Sequence, residues 1–231
     1  MTSRHRAITV CHLGLMPYDE AHRLQRQLQA QRRDGGGVDS LLLVEHPPVF
    51  TLGQSHPEPN LRAEPALLAA RGIQIVQTER GGDITYHGPG QLVVYGIVDL
   101  RAWRCSVLDY VTGLEEACIA TLADWGVRAA HSGRGRGVWV EDRKIASVGL
   151  NVRRWVTMHG IALNVDPDMS HFDLINPCGM PDVEMTSLRR EAGVTATVDE
   201  VAGAFVSHFG DIFDCAVVLD EADAGRASSR R

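Results

Sequence analysis

The sequence predicts a single mixed α/β domain, and three observations carry that prediction. Short apolar runs alternate with stretches of helical periodicity. Two of those helical stretches open on capping-box patterns, Ser106 with Asp109 and Thr197 with Glu200. No internal repeat or linker divides the 231 residues. Hydrophobic residues at 44% and charged residues at 23% are ordinary globular values, so the chain can bury a sizeable core.

The elements follow in order. Ala7 to Leu13 reads as a short strand. Pro17 suits a first helical position, and Tyr18 to Arg33 places Ala21, Leu24 and Leu28 on one face before Gly35-Gly36-Gly37 ends the helix. Ser40 to Glu45, with four consecutive apolar residues, reads as a buried strand stopped by His46-Pro47-Pro48. Val49 to Leu52 resumes as a strand, and a short helix over Pro65 to Ala70 leads to a strand at Ile73 to Thr78. Gln91 to Asp99 is an apolar strand. The clearest helix starts at Ser106 and carries Val107, Val111, Leu114, Cys118, Leu122 and Trp125 at helical spacing.

After a glycine- and arginine-rich loop from His131 to Gly137, the strands Val138 to Val140 and Lys144 to Val152 form a hairpin through Glu141-Asp142-Arg143. A second turn at Arg153-Arg154 returns the chain as Val156 to Val165. Asp166 to Met180 is irregular, and Glu184 to Leu188 is a short strand. The last helix carries Val201, Phe205, Phe209 and Ile212 on its apolar face, and Val217 to Leu219 is a weak final strand. The polar stretch Glu221 to Arg231 reads as a disordered tail, leaving residues 1–220 as the domain.

Composition excludes several functions. A net charge of −6 argues against general nucleic-acid binding. No apolar run approaches the ~20 residues of a membrane span. The segment Met1 to Leu15 lacks the apolar core of an export signal, so the cytoplasm is the expected location. Five cysteines (Cys11, Cys105, Cys118, Cys178, Cys215) contain no CxxC pair, which argues against a disulfide framework or zinc cluster. His46 and His56 lack metal-ligand spacing, and no metal is expected.

The densest chemistry lies in Arg80-Gly81-Gly82-Asp83-Ile84-Thr85-Tyr86-His87-Gly88-Pro89-Gly90-Gln91. Its glycines let a backbone approach a ligand, and its side chains supply charge, hydrogen bonds and an imidazole. It matches neither nucleotide-binding glycine fingerprint. Read alone, it is either a binding loop or a solvated strand connection.

Two single residues stand out elsewhere. Lys144 is the only lysine among 23 basic residues, and unlike arginine it can release its proton when desolvated. Cys178 lies between Pro177 and Gly179 in an irregular segment, where a thiol is more accessible than on an apolar stripe such as that of Cys118. A nucleophilic Cys178 needs a base or cation, and His87, His159 and Lys144 are the available partners. Arg134, Arg136, Arg153 and Arg154 read as solvated turn residues or as a basic rim facing an acidic partner.

Four separated stretches occur in the order of one family: Arg80-Gly81-Gly82 with Thr85 to Gln91, Lys144-Ile145-Ala146-Ser147-Val148-Gly149, His159-Gly160-Ile161-Ala162-Leu163-Asn164, and Pro177-Cys178-Gly179. Together they resemble the lipoyl(octanoyl) transferases, over about residues 8 to 215. The resemblance implies a mixed-sheet α/β domain like the catalytic domains of biotin and lipoate protein ligases. It also implies a catalytic dyad at Cys178 and Lys144. By the same similarity, the substrate pocket uses Arg80, Gly81, Gly82, Asp83, Ile84, Thr85, Tyr86 and His87, then Ser147, Val148 and Gly149, then Gly160, Ile161 and Ala162.

The implied reaction moves an octanoyl or lipoyl group from acyl carrier protein to a lysine on lipoyl domains of 2-oxoacid dehydrogenase complexes or the glycine cleavage H protein. It proceeds through an acyl-thioester on Cys178 and needs no cofactor. An apolar slot using Ile84, Val148 and Ile161 is expected for the chain. Three alternatives stay open: an ATP-dependent lipoate- or biotin-type ligase of the same fold, a thioesterase, and a non-catalytic carrier-binding module.

Overall fold

The computed structural model describes residues 6–55, 60–179 and 182–220. The side chains of Pro65 and Cys178 lie outside that description, as do His56 and the expected tail from Glu221. Its strands are β1 (Arg6–Leu15), β2 (Ser40–Glu45), β3 (Val49–Leu52), β4 (Gln74–Gln77), β5 (Thr85–His87), β6 (Gln91–Ile97), β7 (Ala130–Ser132), β8 (Gly135–Val140), β9 (Arg143–Arg153), β10 (Val156–Asn164), β11 (Glu184–Met185) and β12 (Cys215–Leu219). Its helices are α1 (Tyr18–Arg33), α2 (Pro65–Ala70), α3 (Val107–Asp124), α4 (Leu188–Ala192) and α5 (Val198–Phe213).

A mixed sheet runs β12-β1-β2-β6-β10-β9-β8-β7, with β11 beside the start of β9. The pairs β12–β1 and β1–β2 are parallel, whereas β2–β6, β6–β10, β10–β9 and β9–β8 are antiparallel. A second sheet, β4-β3-β5, stands beside it. Every residue of β6 and β10 is buried, which fits their near-continuous apolar sequences and a sheet covered on both faces.

Helices α3 and α5 cover one face and form the largest cluster, with Leu114, Cys118, Leu122, Phe205 and Phe209 against Val94, Ile161 and Leu163. Both expected capping boxes are present, at Ser106–Asp109 and Thr197–Glu200. Helix α1 covers the other face over Val93, Tyr95 and Ala162. A third cluster, with Phe50, Ile84, Tyr86, Trp139, Phe172, Ile175 and Met185, fills the space between the small sheet and the segment after β10.

Several elements differ from expectation. The inner face of α1 is Tyr18, Ala21, Gln25 and Gln29, not a purely apolar stripe. Gln29 Nε2 donates to Val156 O at 3.0 Å, so the buried amide is satisfied by backbone at the start of β10. On α5, Phe213 is buried while Ile212 is 40% exposed, because the Phe205–Phe209–Phe213 rings stack along one line. The chain at Arg154-Trp155 turns through two positive-φ residues, the geometry of a tight two-residue hairpin loop. Glu184–Met185 is a strand, but the chain then turns and α4 starts at Leu188, capped by Ser187. Among the described residues, no helix is long and apolar enough to cross a membrane.

Candidate active site

Strand pairing brings distant motifs together. In the β9–β10 ladder, Ser147 pairs with Ala162, Val148 with Ile161 and Gly149 with Gly160. On the other edge of β10, Gly160 pairs with Tyr95 and Ala162 with Val93. The loop before β5 closes over this platform: Gly81 N–H donates to Leu150 O at 2.8 Å. Gly149 makes that approach possible, since a Cβ there would sit 3.0 Å from Gly81 O.

The result is a narrow cleft between the Arg80 loop and the β6–β10–β9 platform. Of the expected pocket residues, Arg80, Gly82, Asp83, Thr85, His87, Ser147, Val148, Gly149, Gly160, Ile161 and Ala162 line it. Gly81 lies just behind, bonded to β9. Ile84 and Tyr86 face the other way, because side chains alternate along a strand, and both are buried in the third cluster. Tyr18, Val93, Tyr95 and His159 complete the lining. Val148 and Ile161 also pack against the main core.

The polar groups of the cleft are fixed in place. Arg80 is buried, and its Nη2 donates to Thr51 O at 2.6 Å and to Thr51 Oγ1 at 2.9 Å. Asp83 Oδ1 accepts from Ile84 N–H, and its Oδ2 accepts from Asn60 Nδ2. Gln91 Nε2 donates to Tyr86 O and to Asn164 Oδ1, so its Oε1 must accept from His87 Nδ1 at 2.7 Å. That assigns the tautomer: His87 Nε2 carries the lone pair. Burial lowers the pKa of His87 to about 3, with smaller contributions from His46 and Arg80, so the ring stays neutral. His46 behaves alike: burial lowers it to about 4, Nδ1–H donates to Met16 O, and Nε2 accepts from Tyr95 O–H at 2.8 Å. Tyr18 stacks on His87 with centroids 6.1 Å apart, and burial raises its pKa and that of Tyr95.

Lys144 is the second residue of β9, three residues ahead of the cleft-lining Ser147, and is only 2% exposed. Its Nζ lies 5.3 Å from the centroid of the Trp139 ring, a cation–π distance. The neighbouring strands hold it through Trp139 on β8 and Met185 on β11, and Thr186 N–H donates to its carbonyl. Gly137 shapes the niche. Its φ is +119°, and a Cβ there would overlap Ala146 O and come within 2.6 Å of Lys144 Cε. Buried Glu115 of α3 fixes this backbone by accepting from Gly137 N–H at 2.7 Å and from Arg136 at 3.1 Å. Arg136 is therefore paired, and Arg134 reaches Asp142 at 3.5 Å.

Cys178 sits in a 3₁₀ turn, Pro177–Gly179. Two backbone bonds set that turn, Asn176 N–H to Asn60 O and Gly179 N–H to Asn176 O. Gly179 adopts φ +68°, and a Cβ there would lie 2.8 Å from Asp83 Oδ2, so the turn packs on the wall of the cleft. Burial pushes the Cys118 thiol far up, and burial raises Cys215 to about 11. Cys11 and Cys215 are half-buried.

A family profile for the lipoyl protein ligase A/B catalytic domain matches residues 17–210, which span the cleft, Lys144 and the Cys178 turn. The chain belongs to that family. Within the lipoyl protein ligase A/B family, it is 49% identical over 204 residues to the octanoyltransferase of Solibacter usitatus (strain Ellin6076), covering 87% of this chain and 91% of that one. It is 46% identical over 211 residues to the octanoyltransferase of Chloroflexus aurantiacus (strain ATCC 29366 / DSM 635 / J-10-fl), covering 90% and 95%. Solved structures share the fold at low identity. A bi-partite lipoate protein ligase from Thermoplasma acidophilum superposes with a TM-score of 0.67 at 16% identity, covering 94% of this chain and 86% of that one. The biotin protein ligase of Aquifex aeolicus with biotin and ATP gives 0.55 at 12% identity, covering 89% and 70%.

The lining residues absent from the motif reading are those whose roles depend on packing. Tyr18 looks like an ordinary first residue of a helix, and Val93 and Tyr95 like strand core. Gly137 reads as part of a flexible arginine-rich loop. Its one sequence signal is that it adjoins the apolar run Val138 to Val140; in the structure it lies within β8, whose Trp139 pairs with Lys144.

Proposed function

We propose that this chain is an octanoyltransferase that takes the acyl group from octanoyl-acyl carrier protein and delivers it to a lysine of a lipoyl domain. The observation that carries the reading is the burial of the chain's only lysine at the head of the strand that lines the cleft. A lysine held inside the fold next to the cleft-lining residues is placed to act as an acid/base partner in acyl transfer. The octanoyltransferase relatives support the same reaction class.

In this reading, the Cys178 thiolate attacks the thioester carbonyl and the carrier's pantetheine sulfur leaves, taking a proton from the Lys144 ammonium. The acceptor's neutral lysine amine then attacks the acyl-cysteine. The C–N bond forms, the C–S bond breaks, the amine's proton passes to Lys144, and the Cys178 thiolate is regenerated. Exchanging one thioester for another is close to thermoneutral and the amide is more stable, so ATP has no role. Val93, Tyr95, Val148 and Ala162 would wall the acyl chain. Donors at the mouth, such as the Gly82 backbone N–H, would hold the developing oxyanion. The cytoplasm suits the carrier and acceptor substrates.

The test is intact mass spectrometry after mixing with octanoyl-carrier protein. One octanoyl group should add without ATP, be labile to hydroxylamine, and be absent in Cys178→Ser. In Lys144→Met, iodoacetamide should alkylate Cys178 with a pH profile displaced upward. Absence of an adduct in a single turnover, or transfer that requires ATP, would overturn the proposal.

A further inference from the structure

Beside the cleft, three groups come together that the transfer reaction does not use. His22 lies in the second turn of α1, Glu79 just precedes the Arg80 loop, and His159 sits on β10. One ligand atom from each lies within 4.8 Å of the others. His22 Nε2 and Glu79 Oε2 are 2.8 Å apart, and the rings of His22 and His159 stack with centroids 5.6 Å apart.

His159 is the unusual member. It is 1% exposed, yet neither of its ring nitrogens makes a hydrogen bond to a protein group. Buried imidazoles normally satisfy at least one nitrogen, as His46 and His87 do here. It also holds a φ of +65° in the middle of a strand, a conformation that costs energy for a residue with a Cβ. Gln25 Oε1 accepts from the His159 backbone N–H at 2.9 Å and so helps to hold that strained conformation. A strained, buried ring with its lone pair unused, turned toward another imidazole and a carboxylate, is the arrangement expected of a ligand set.

We propose that His22, Glu79 and His159 form a binding site for a divalent transition metal of the zinc class. Two imidazole nitrogens and one carboxylate oxygen are a borderline donor set that suits zinc and offers too few oxygens for magnesium or calcium. The carboxylate is already oriented: Arg26 approaches Glu79 Oε1 at 3.8 Å, leaving Oε2 toward His22, and Asn151 Nδ2 donates to the Glu79 carbonyl. On binding, the His22–Glu79 hydrogen bond gives way to two metal–ligand bonds. His159 also lines the cleft, so an ion held by the three residues would lie next to the pocket. The site stands whether or not the proposed acyl transfer is correct.

The experiment uses the full chain, stripped with chelator and titrated with Zn²⁺ against a chromophoric competitor. A parallel Co²⁺ titration is followed by visible absorption. One equivalent is expected to bind, with cobalt bands of a nitrogen–oxygen site and no thiolate charge-transfer band, unchanged in Cys178→Ser. Affinity should fall by roughly 100-fold or more in His22→Ala and in the isosteric Glu79→Gln. Zinc should raise the thermal midpoint of the wild type but not of either variant, and circular dichroism checks that each variant is folded. The proposal fails if the wild type shows no saturable one-equivalent binding or if both variants bind like wild type. A thiolate band that vanishes in Cys178→Ser would also overturn it, by placing the ion on the thiol.

Discussion

Replacing Gly137 with alanine probes the niche around Lys144 more directly than changing the lysine itself. The added Cβ would overlap Ala146 O and lie 2.6 Å from Lys144 Cε, at a backbone φ of +119°. Ala146 O belongs to β9, whose ladder to β10 restrains it, so the lysine end must give way. The unfavourable backbone region costs about 1–3 kcal/mol. Overpacking adds about 1–3 kcal/mol. A midrange total of about 4 kcal/mol lowers the midpoint of a chain this size by about 8–16 °C. If the Lys144 amine moves by about 1 Å, acyl-enzyme formation should slow by on the order of 10²-fold. Thermal denaturation gives the first number. Single-turnover mass spectrometry, run below both midpoints, gives the second. A variant that melts within about 2 °C of wild type and acylates at the wild-type rate would refute the view that Gly137 shapes this niche.

Two further outcomes follow from the geometry. Gly179→Ala places a Cβ 2.8 Å from Asp83 Oδ2 at a φ of +68°, so it should cost about 1–3 kcal/mol of stability by denaturant melting and suppress acyl-enzyme formation. Normal acylation would separate the Cys178 turn from the cleft. Acid should also weaken the fold. Burial holds His87 at about 3 and His46 at about 4, below the ordinary 6.5, so both stay neutral when folded but protonate when unfolded. Stability is therefore complete above about pH 6.5 and falls below it by about 1.4 kcal/mol per pH unit for each ring until its folded pKa is reached. Between pH 6.5 and 5 the pair together cost about 4 kcal/mol. Urea midpoints measured across that window should show the loss, and His46→Gln should remove about half of the pair's slope. A profile flat to pH 5 would contradict the buried neutral state of these rings.

Much of this structure was legible in the sequence, for identifiable reasons. The capping boxes at Ser106 and Thr197 mark helix starts by local chemistry, and the structure keeps both. The unbroken apolar run Leu41 to Val44, stopped by His46-Pro47-Pro48, reads as a buried strand, and it is one. The inner face of α1 was not legible, because it buries Gln25 and Gln29. Hydropathy places such residues outside, and only the position of the Val156 carbonyl and the His159 amide explains them. The glycine-rich stretch hid a strand, Thr85–His87, whose pairing to β3 is non-local. That pairing decides which side chains of the motif meet the cleft. Thr85 and His87 line it, while Ile84 and Tyr86 stabilise the neighbouring core. The pairing of Ser147–Gly149 with Gly160–Ala162 is likewise a fact of register, which no single segment contains.

The cleft and the cysteine turn are built differently. The cleft floor is made of ladder-bonded strands at the centre of the sheet, whereas Cys178 belongs to a short 3₁₀ turn outside those ladders. Changes to the turn leave every β9–β10 and β6–β10 bond intact. A change confined to residues 176–179 would therefore alter the turn beside the cleft while the strands of its floor stay as they are.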